Sequence, residues 1–134
     1  MKQFISTRMH GVADYIAGIL VTASPYLFGF APLGGAPLFI PLVFGILQML
    51  MVIFTRHETG LIKVIPLQTH LVIDMLLGFF LMVSPFLYKF YPFVVWPHLL
   101  LGMFLFGSAL FTKQSPFTGP LDLLDERGRI PHAL

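Results

Sequence analysis

Four apolar blocks dominate the chain, and each is close to the length that a helix needs to cross a lipid bilayer. A helix of about 20 residues, rising 1.5 Å per residue, spans the roughly 30 Å of hydrocarbon in a membrane. Of the 134 residues, 57% are hydrophobic and 10% are charged, whereas average globular domains contain roughly 25% charged residues. The sequence therefore predicts an all-α polytopic membrane protein with four transmembrane helices.

Short polar or Gly/Pro-rich segments separate these blocks. The predicted spans are at about residues 9–30, 36–55, 69–90 and 94–112. Barrel strands are disfavoured because the apolar runs are uninterrupted and lack the in-out alternation of such strands. The first block holds Asp14 and Pro25 and is too long for the core of a secretory signal, so it is predicted to remain in the mature protein. Pro120 is predicted to start a short surface helix in the tail.

Basic residues lie mostly on one side of the predicted spans. Seven of the eight basic residues lie in the two terminal segments or in the middle connection, close to the ends of the spans. They are Lys2, Arg8, Arg56, Lys63, Lys113, Arg127 and Arg129. Only Lys89 lies in either of the other two connections. By the positive-inside rule, both termini and the middle connection are predicted to face the cytoplasm.

The chain contains an internal repeat. Residues 10–32 align without gaps on residues 70–92, with nine of 23 positions identical. Removing three residues from the second connection also aligns span 2 with span 4 and matches Gly45 to Gly102. We therefore divide the chain into a first two-helix repeat (1–58), a second two-helix repeat (59–113) and a cytoplasmic tail (114–134). Because each repeat has an even number of spans, the two halves are predicted to be related by a pseudo-twofold axis along the membrane normal.

The repeated pattern is His-x3-Asp-x3-Gly-x5-Ser-Pro-aromatic. It comprises His10, Asp14, Gly18, Ser24, Pro25 and Tyr26 in the first copy, and His70, Asp74, Gly78, Ser84, Pro85 and Phe86 in the second. This pattern resembles the SPW-repeat family of small bacterial membrane proteins over about residues 8–113. Tyr26 and Phe86 stand where the family name has tryptophan. The resemblance implies a multi-pass protein of the bacterial inner (plasma) membrane, and it carries no biochemical activity over to this chain.

Helical spacing places the motif residues of spans 1 and 3 on one stripe of each helix. Polar groups and glycines in membrane helices usually face other helices, where glycine allows close backbone approach. We therefore predict that spans 1 and 3 pack directly, with Gly18 near Gly78. The alternative is that the stripes face spans 2 and 4, whose matched glycines are Gly45 and Gly102.

Each stripe begins with a histidine and an aspartate four residues apart, a spacing that allows a hydrogen bond. The leading interpretation is that His10/Asp14 and His70/Asp74 cap their helices and anchor them at the cytoplasmic interface. One alternative is a site for protons or ions. Another is a divalent metal or a haem held by the two histidines. No metal or cofactor is assigned from the sequence.

The Ser-Pro pairs lie near the outer ends of spans 1 and 3. Proline leaves the carbonyl four residues earlier, Val21 in the first copy, without its usual donor. Two structures fit: a kinked span, or a span that ends there and restarts with serine as N-cap. In both, the motif aromatics Tyr26 and Phe86 belong to an interfacial aromatic cluster.

Two further polar residues lie in or beside spans 2 and 4. His98 follows Trp96-Pro97 and is predicted to be an interfacial anchor. Gln48, inside span 2, is predicted to hydrogen-bond to another helix.

The sequence contains no recognisable catalytic constellation. It has no cysteine. The repeated serines lie at the opposite membrane face from the motif histidines, and only His98 is predicted on their side, so the pattern does not favour a serine hydrolase. We therefore predict a non-enzymatic structural, assembly or interaction module. Its predicted partners are the lipid bilayer and either a second copy or another membrane protein, with no nucleic acid. The alternatives are a small proton or ion carrier and a metal- or haem-binding membrane protein.

Overall fold

A computed structural model describes residues 2–117, and every regular element in this part of the chain is helical. The helices are α1 (Thr7–Leu27), α2 (Gly35–Ile53), α3 (Leu67–Leu87) and α4 (Trp96–Phe111), with a 3-10 turn at Ala31–Leu33. The predicted all-α fold is confirmed, and each helix lies close to one of the predicted spans. The helix predicted to start at Pro120 lies outside the described residues.

The four helices close a ring in chain order. Helix α1 packs mainly on α2, and α3 packs mainly on α4, while smaller contacts join α2 to α3 and α4 to α1. Helices α1 and α3 therefore lie diagonally across the ring. Their side chains can meet only in its interior.

Close backbone approach at glycines joins the two helices of each hairpin. A Cβ on Gly45 would lie 2.8 Å from the carbonyl oxygen of Gly18, and a Cβ on Gly102 would lie 2.6 Å from that of Gly78. The predicted contact between Gly18 and Gly78 is therefore wrong, and the alternative pairing with α2 and α4 holds. Each step of four residues overshoots a full helical turn by about 40°. The stripe has thus rotated by about 80° between the histidine and the glycine, away from the diagonal and towards the neighbouring helix.

The Ser-Pro pairs lie inside continuous helices. Helix α1 runs through Pro25 to Leu27, and α3 runs through Pro85 to Leu87. A helix that ends at the serine and restarts from it is therefore excluded in both copies. The Ser24 hydroxyl donates to the Val21 carbonyl at 2.8 Å, so serine partners the carbonyl that proline leaves free.

Chain segments at one end of the bundle are tied together. Two isolated β-bridges pair Ile5 with Thr112 and Thr55 with Ile65. The Thr7 hydroxyl donates to the Glu58 carboxylate at 2.8 Å. The N-terminal segment, the connection between α2 and α3, and the end of α4 therefore share one end, which we term the loop end.

Large apolar side chains cover the outside of the bundle. Exposed examples on the four helices are Ile16, Ile19, Val43, Ile46, Leu76, Phe79, Leu100 and Phe104. Helices α2 and α3 are each long and apolar enough to cross a membrane, and α4 is a shorter apolar helix. Soluble monomers rarely expose contiguous apolar patches of this extent. The surface is that expected of a membrane protein.

Candidate functional site

Four polar side chains from the two repeats meet in the interior of the ring. The atoms His10 Nε2, Asp14 Oδ2, His70 Nε2 and Asp74 Oδ2 all lie within 4.8 Å of one another. None of the four residues is more than 1% exposed. We term this group the His/Asp cluster. The sequence predicted the pairs, and the tertiary structure brings the two pairs together.

The hydrogen bonds of the cluster cross between the hairpins. His10 Nε2 is bonded to Asp74 Oδ2 at 3.1 Å, and His70 Nε2 is bonded to Asp14 Oδ2 at 2.8 Å. Within each helix, the predicted pairs are also in contact. His10 Nε2 lies 3.0 Å from Asp14 Oδ2, and His70 Nε2 lies 2.8 Å from Asp74 Oδ2. Each histidine nitrogen therefore contacts both carboxylates, and each aspartate contacts both imidazoles.

The prediction that these residues cap their helices is wrong, since Ser6 and Pro66 have the N-cap positions of α1 and α3. The N-cap of α1 is Ser6, whose side chain accepts a hydrogen bond from the Met9 N–H at 3.1 Å. The cluster begins one turn further along, where burial excludes it from water. Asp14 and Asp74 therefore interact with side chains of the opposite hairpin rather than with free N–H groups of a helix end.

Two hydroxyls orient the imidazoles. Thr55 donates its hydroxyl proton to the Met51 carbonyl at 2.5 Å, so its oxygen accepts from His70 Nδ1, which lies 2.7 Å away. This contact places a proton on Nδ1 of His70 and directs Nε2 towards the carboxylates. Ser108 Oγ lies 2.8 Å from His10 Nδ1 and has the corresponding position in the other half of the cluster.

Sequence reasoning did not assign these hydroxyls to the site. Thr55 belongs to the repeated FT at the end of spans 2 and 4, but its counterpart Thr112 bonds the Ser108 carbonyl, and the Ser108 hydroxyl approaches His10 instead. The repeated FT could therefore have drawn attention to Thr55 as a candidate site residue. It was no signal for Ser108, whose counterpart in the aligned copy is Met51.

One oxygen of each aspartate is left over. Asp14 Oδ1 and Asp74 Oδ1 are buried and have no hydrogen-bond partner among residues 2–117. Buried carboxylate oxygens normally accept hydrogen bonds, because the unpaired group costs free energy. The cluster therefore has unused ligand capacity.

An apolar layer borders the cluster on the side away from the loop end. Ala17, Val21, Leu81 and Leu105 form a fully buried group, against which Ile40, Phe44 and Leu101 pack. Ala17 and Val21 follow Asp14 directly along α1, so this layer comes next in the bundle interior. All seven of these side chains are apolar.

An open, partly polar cavity of about 360 Å³ lies at the loop end. Its charged and titratable lining residues are Arg56, His57, Glu58 and Lys63. The His57 ring, 6% exposed, contacts the His70 ring edge-on with centroids 5.9 Å apart. Burial lowers the pKa of His57, so this imidazole is neutral at pH 7. Hydrogen bonds from its own backbone N–H and from the Thr7 hydroxyl lower the pKa of Glu58, which keeps the carboxylate charged.

The cluster geometry does not suit a bis-histidine haem. The His10 and His70 ring centroids are 5.5 Å apart, and both Nε2 atoms contact the same carboxylate oxygens. A porphyrin between the rings would have to separate all of these contacts. Haem ligation is therefore not supported by this arrangement.

The other motif residues lie away from the cluster. Ser24 and Ser84 are buried, and their hydroxyls are bonded to the carbonyls of Val21 and Leu81. The motif aromatics are exposed, Tyr26 by 66% and Phe86 by 54%, as an interfacial position requires. The serines therefore shape the helices, and the aromatics face outwards.

The structure corrects two predictions about isolated polar residues. His98 is 1% exposed and lies against the rings of Phe30 and Phe90, with centroid distances of 5.2 Å and 4.9 Å, so it is not an interfacial anchor. The two phenylalanines follow α1 and α3 and bury the imidazole. Gln48 is fully buried, and neither of its amide atoms hydrogen-bonds within the described part of the chain, so the predicted bond to another helix is wrong.

Comparison with known proteins yields one family. A family model described as the SPW repeat domain matches residues 8–112, a range that includes all four helices apart from the first residue of α1. No functionally curated protein and no solved structure matches the chain. Because the matched range covers most of the sequence and both copies of the motif, the chain belongs to the SPW repeat family.

Proposed function

We propose that the protein is a non-enzymatic structural or assembly module of a bacterial inner membrane, in which the His/Asp cluster joins two helical hairpins. In this proposal all four helices cross the bilayer, both termini are cytoplasmic and a pseudo-twofold axis along the membrane normal relates the halves. Its partners are the surrounding lipid and either a second copy or another membrane protein.

Two observations support four spans. Helix α1 is less apolar than α2 and α3, but its buried polar residues His10 and Asp14 have their side chains turned into the bundle and away from its outer surface. The N-terminal segment, the middle connection and the end of α4 share the loop end. That arrangement requires an even number of crossings between them, in agreement with the distribution of basic residues.

The crossed hydrogen bonds of the cluster carry the proposal. Its four residues bond to groups of the opposite hairpin, are excluded from water, and are followed by an apolar layer. Removing one partner of a buried charged pair typically costs about 3–5 kcal/mol, because the remaining charge is left uncompensated. The cluster is thus suited to holding the hairpins in one register.

A double-mutant cycle on Asp14→Asn and His70→Gln tests this role. The unfolding free energy of the full chain in detergent, measured with excess chelator present, should show a coupling of at least about 1 kcal/mol between the two substitutions. The control cycle pairs Asp14→Asn with His98→Gln, a buried histidine at the other end of the bundle, and should be additive within about 0.5 kcal/mol. Additivity in both cycles would contradict the proposal.

The second candidate, a proton or ion carrier, is favoured by the polar cavity at the loop end, whose lining includes His57, a ring in contact with His70. The apolar layer beyond the cluster opposes it. We expect proteoliposomes containing the wild-type chain to dissipate a pH gradient no faster than those containing Asp14→Asn/Asp74→Asn. Flux through the wild type that the double substitution abolishes would establish the carrier instead.

A further inference from the structure

We propose that the His/Asp cluster is a binding site for one divalent transition-metal ion of the zinc class, with His10, Asp14, His70 and Asp74 as ligands. This inference goes beyond the structural role, because hydrogen bonding alone could join the hairpins. It concerns what occupies the centre of the cluster.

The ligand set matches the chemistry of such an ion. Zinc binds imidazole nitrogen and carboxylate oxygen, usually with four ligands at about 2.0–2.2 Å. Mg²⁺ and Ca²⁺ prefer oxygen ligands alone, so two imidazoles favour a transition metal. Two carboxylates, two neutral imidazoles and a divalent cation have no net charge. Electroneutrality lowers the cost of placing an ion in a buried, low-dielectric interior.

The cluster has more short N···O contacts than its two Nε2 protons can serve as hydrogen bonds. Four N···O contacts of 2.8–3.1 Å join the two nitrogens to the two oxygens. The two Nε2 protons of doubly protonated imidazoles can direct only two linear hydrogen bonds, and the crossed pairs have that geometry. A cation between the four atoms would interact with all of them at once.

The four N···O separations of the cluster are close to those of a tetrahedral site, in which the ion would take the place of the two Nε2 protons. Bonds of about 2.0–2.1 Å in a tetrahedral site place ligand atoms about 3.3 Å apart. The present 2.8–3.1 Å separations would widen by about 0.2–0.5 Å on binding. The unpartnered Oδ1 atoms of Asp14 and Asp74 offer the ion further lone pairs if either carboxylate binds through both oxygens.

The hydroxyls behind the imidazoles are arranged as in metal sites. A metal-binding histidine commonly donates its other ring N–H to an oxygen, which fixes the tautomer and the ring orientation. Thr55 accepts from His70 Nδ1, and Ser108 contacts His10 Nδ1. Both Nε2 atoms are thereby directed to the centre of the cluster.

The polar cavity at the loop end is separated from the site by the His57 ring. Glu58 is a charged carboxylate on its wall, and His57 lies between the cavity and His70. His57 Nε2 is buried and has no hydrogen-bond partner in residues 2–117. The same wall carries Arg56 and Lys63, so Glu58 is the acidic group of the cavity lining and His57 is the imidazole that joins the lining to the cluster.

Metal analysis of the purified full chain tests the site. The protein in detergent is stripped with a chelator, reloaded with Zn²⁺, desalted, and measured by inductively coupled plasma mass spectrometry. Wild type should retain about one Zn²⁺ per chain, and Co²⁺ in its place should produce the visible absorption of a four-coordinate site. The Asp14→Asn/Asp74→Asn variant should lose this binding, whereas His98→Gln, which changes a buried histidine outside the cluster, should keep it.

A second variant guards against misfolding of the first. Thr55→Val leaves all four ligands in place and removes the acceptor behind His70, so it should weaken Zn²⁺ binding by about 10–100-fold while circular dichroism stays unchanged. If the wild-type chain retained less than about 0.1 Zn²⁺ ion per chain, the proposal would be overturned. Equal zinc affinity in wild type and Thr55→Val, with equal retention in the aspartate variant, would overturn it as well. The double-mutant cycle above is run with chelator, so either proposal can fail without the other.

Discussion

At the scale of single residues, the serine of each Ser-Pro pair replaces the hydrogen bond that its proline removes from the helix. Proline cannot donate a backbone N–H, so Pro25 leaves the Val21 carbonyl without a donor. The preceding serine supplies that donor at 2.8 Å, and Ser84 does the same for Leu81. In an apolar environment an unpaired carbonyl is costly. This cost explains why the two residues occur together in both copies.

This interpretation predicts how Ser24→Ala depends on the next residue. In the wild-type background the substitution should lower the free energy of unfolding by about 1–3 kcal/mol, because a buried carbonyl loses its donor. In a Pro25→Ala background the restored N–H can bond the carbonyl, so the same substitution should cost less than about 0.5 kcal/mol. Denaturation in detergent measures both values. Equal losses in the two backgrounds would show that the serine acts in another way.

At the scale of helices, glycine determines how closely the two members of a hairpin approach. A Cβ at Gly78 would lie 2.6 Å from the Phe106 backbone nitrogen and 2.7 Å from the Gly102 carbonyl oxygen. Backbone atoms cannot move aside as a flexible side chain can. Gly107, on the same helix as Gly102, has nothing within 4 Å of its Cβ position.

The two glycines therefore form a matched pair for substitution. Gly78→Ala should destabilise the protein by about 1–3 kcal/mol, because α3 and α4 must separate to accommodate the methyl group. Gly107→Ala should be neutral or stabilising by up to about 1 kcal/mol, because alanine favours the helix. Unfolding in detergent distinguishes them. A Gly78→Ala protein as stable as Gly107→Ala would contradict the packing described above.

At the scale of the whole molecule, the loop end gathers three chain segments that the sequence predicts to be cytoplasmic. The bridge between Ile5 and Thr112 brings the start of α1 and the end of α4 together, and Thr7 reaches the middle connection at Glu58. The turn after α3 lies at the opposite end and contains Lys89, which has a φ of 58°. The two ends of the bundle therefore differ in their content of basic residues.

Cysteine labelling tests the resulting topology, since the chain has no cysteine of its own. A membrane-impermeant maleimide should label Lys89→Cys in cells with an intact inner membrane. Lys63→Cys should react only after that membrane is permeabilised, because its connection is predicted to be cytoplasmic. Labelling of both positions from the same side would contradict the four-span arrangement.

Much of the fold was predictable, because helices in a bilayer must satisfy their own backbone hydrogen bonds and reveal themselves as long apolar blocks. The site was predictable in part. His10, Asp14, His70 and Asp74 follow from the repeat, whereas the pairing of Gly18 with Gly78 was wrong because a stripe with a four-residue period turns around the helix. The burial of His98 depends in part on Phe30, which belongs to the other hairpin and is distant from it in sequence.

The sequence by itself determined the helical class, the four apolar blocks and the placement of a histidine and an aspartate one turn apart in each copy. Such properties depend on composition and local spacing alone. Only the tertiary structure decided that the hydrogen bonds run between hairpins, that water is excluded, and that Thr55 and Ser108 orient the rings. Those contacts depend on the rotation and depth of each helix in the ring, which packing of all four helices sets together.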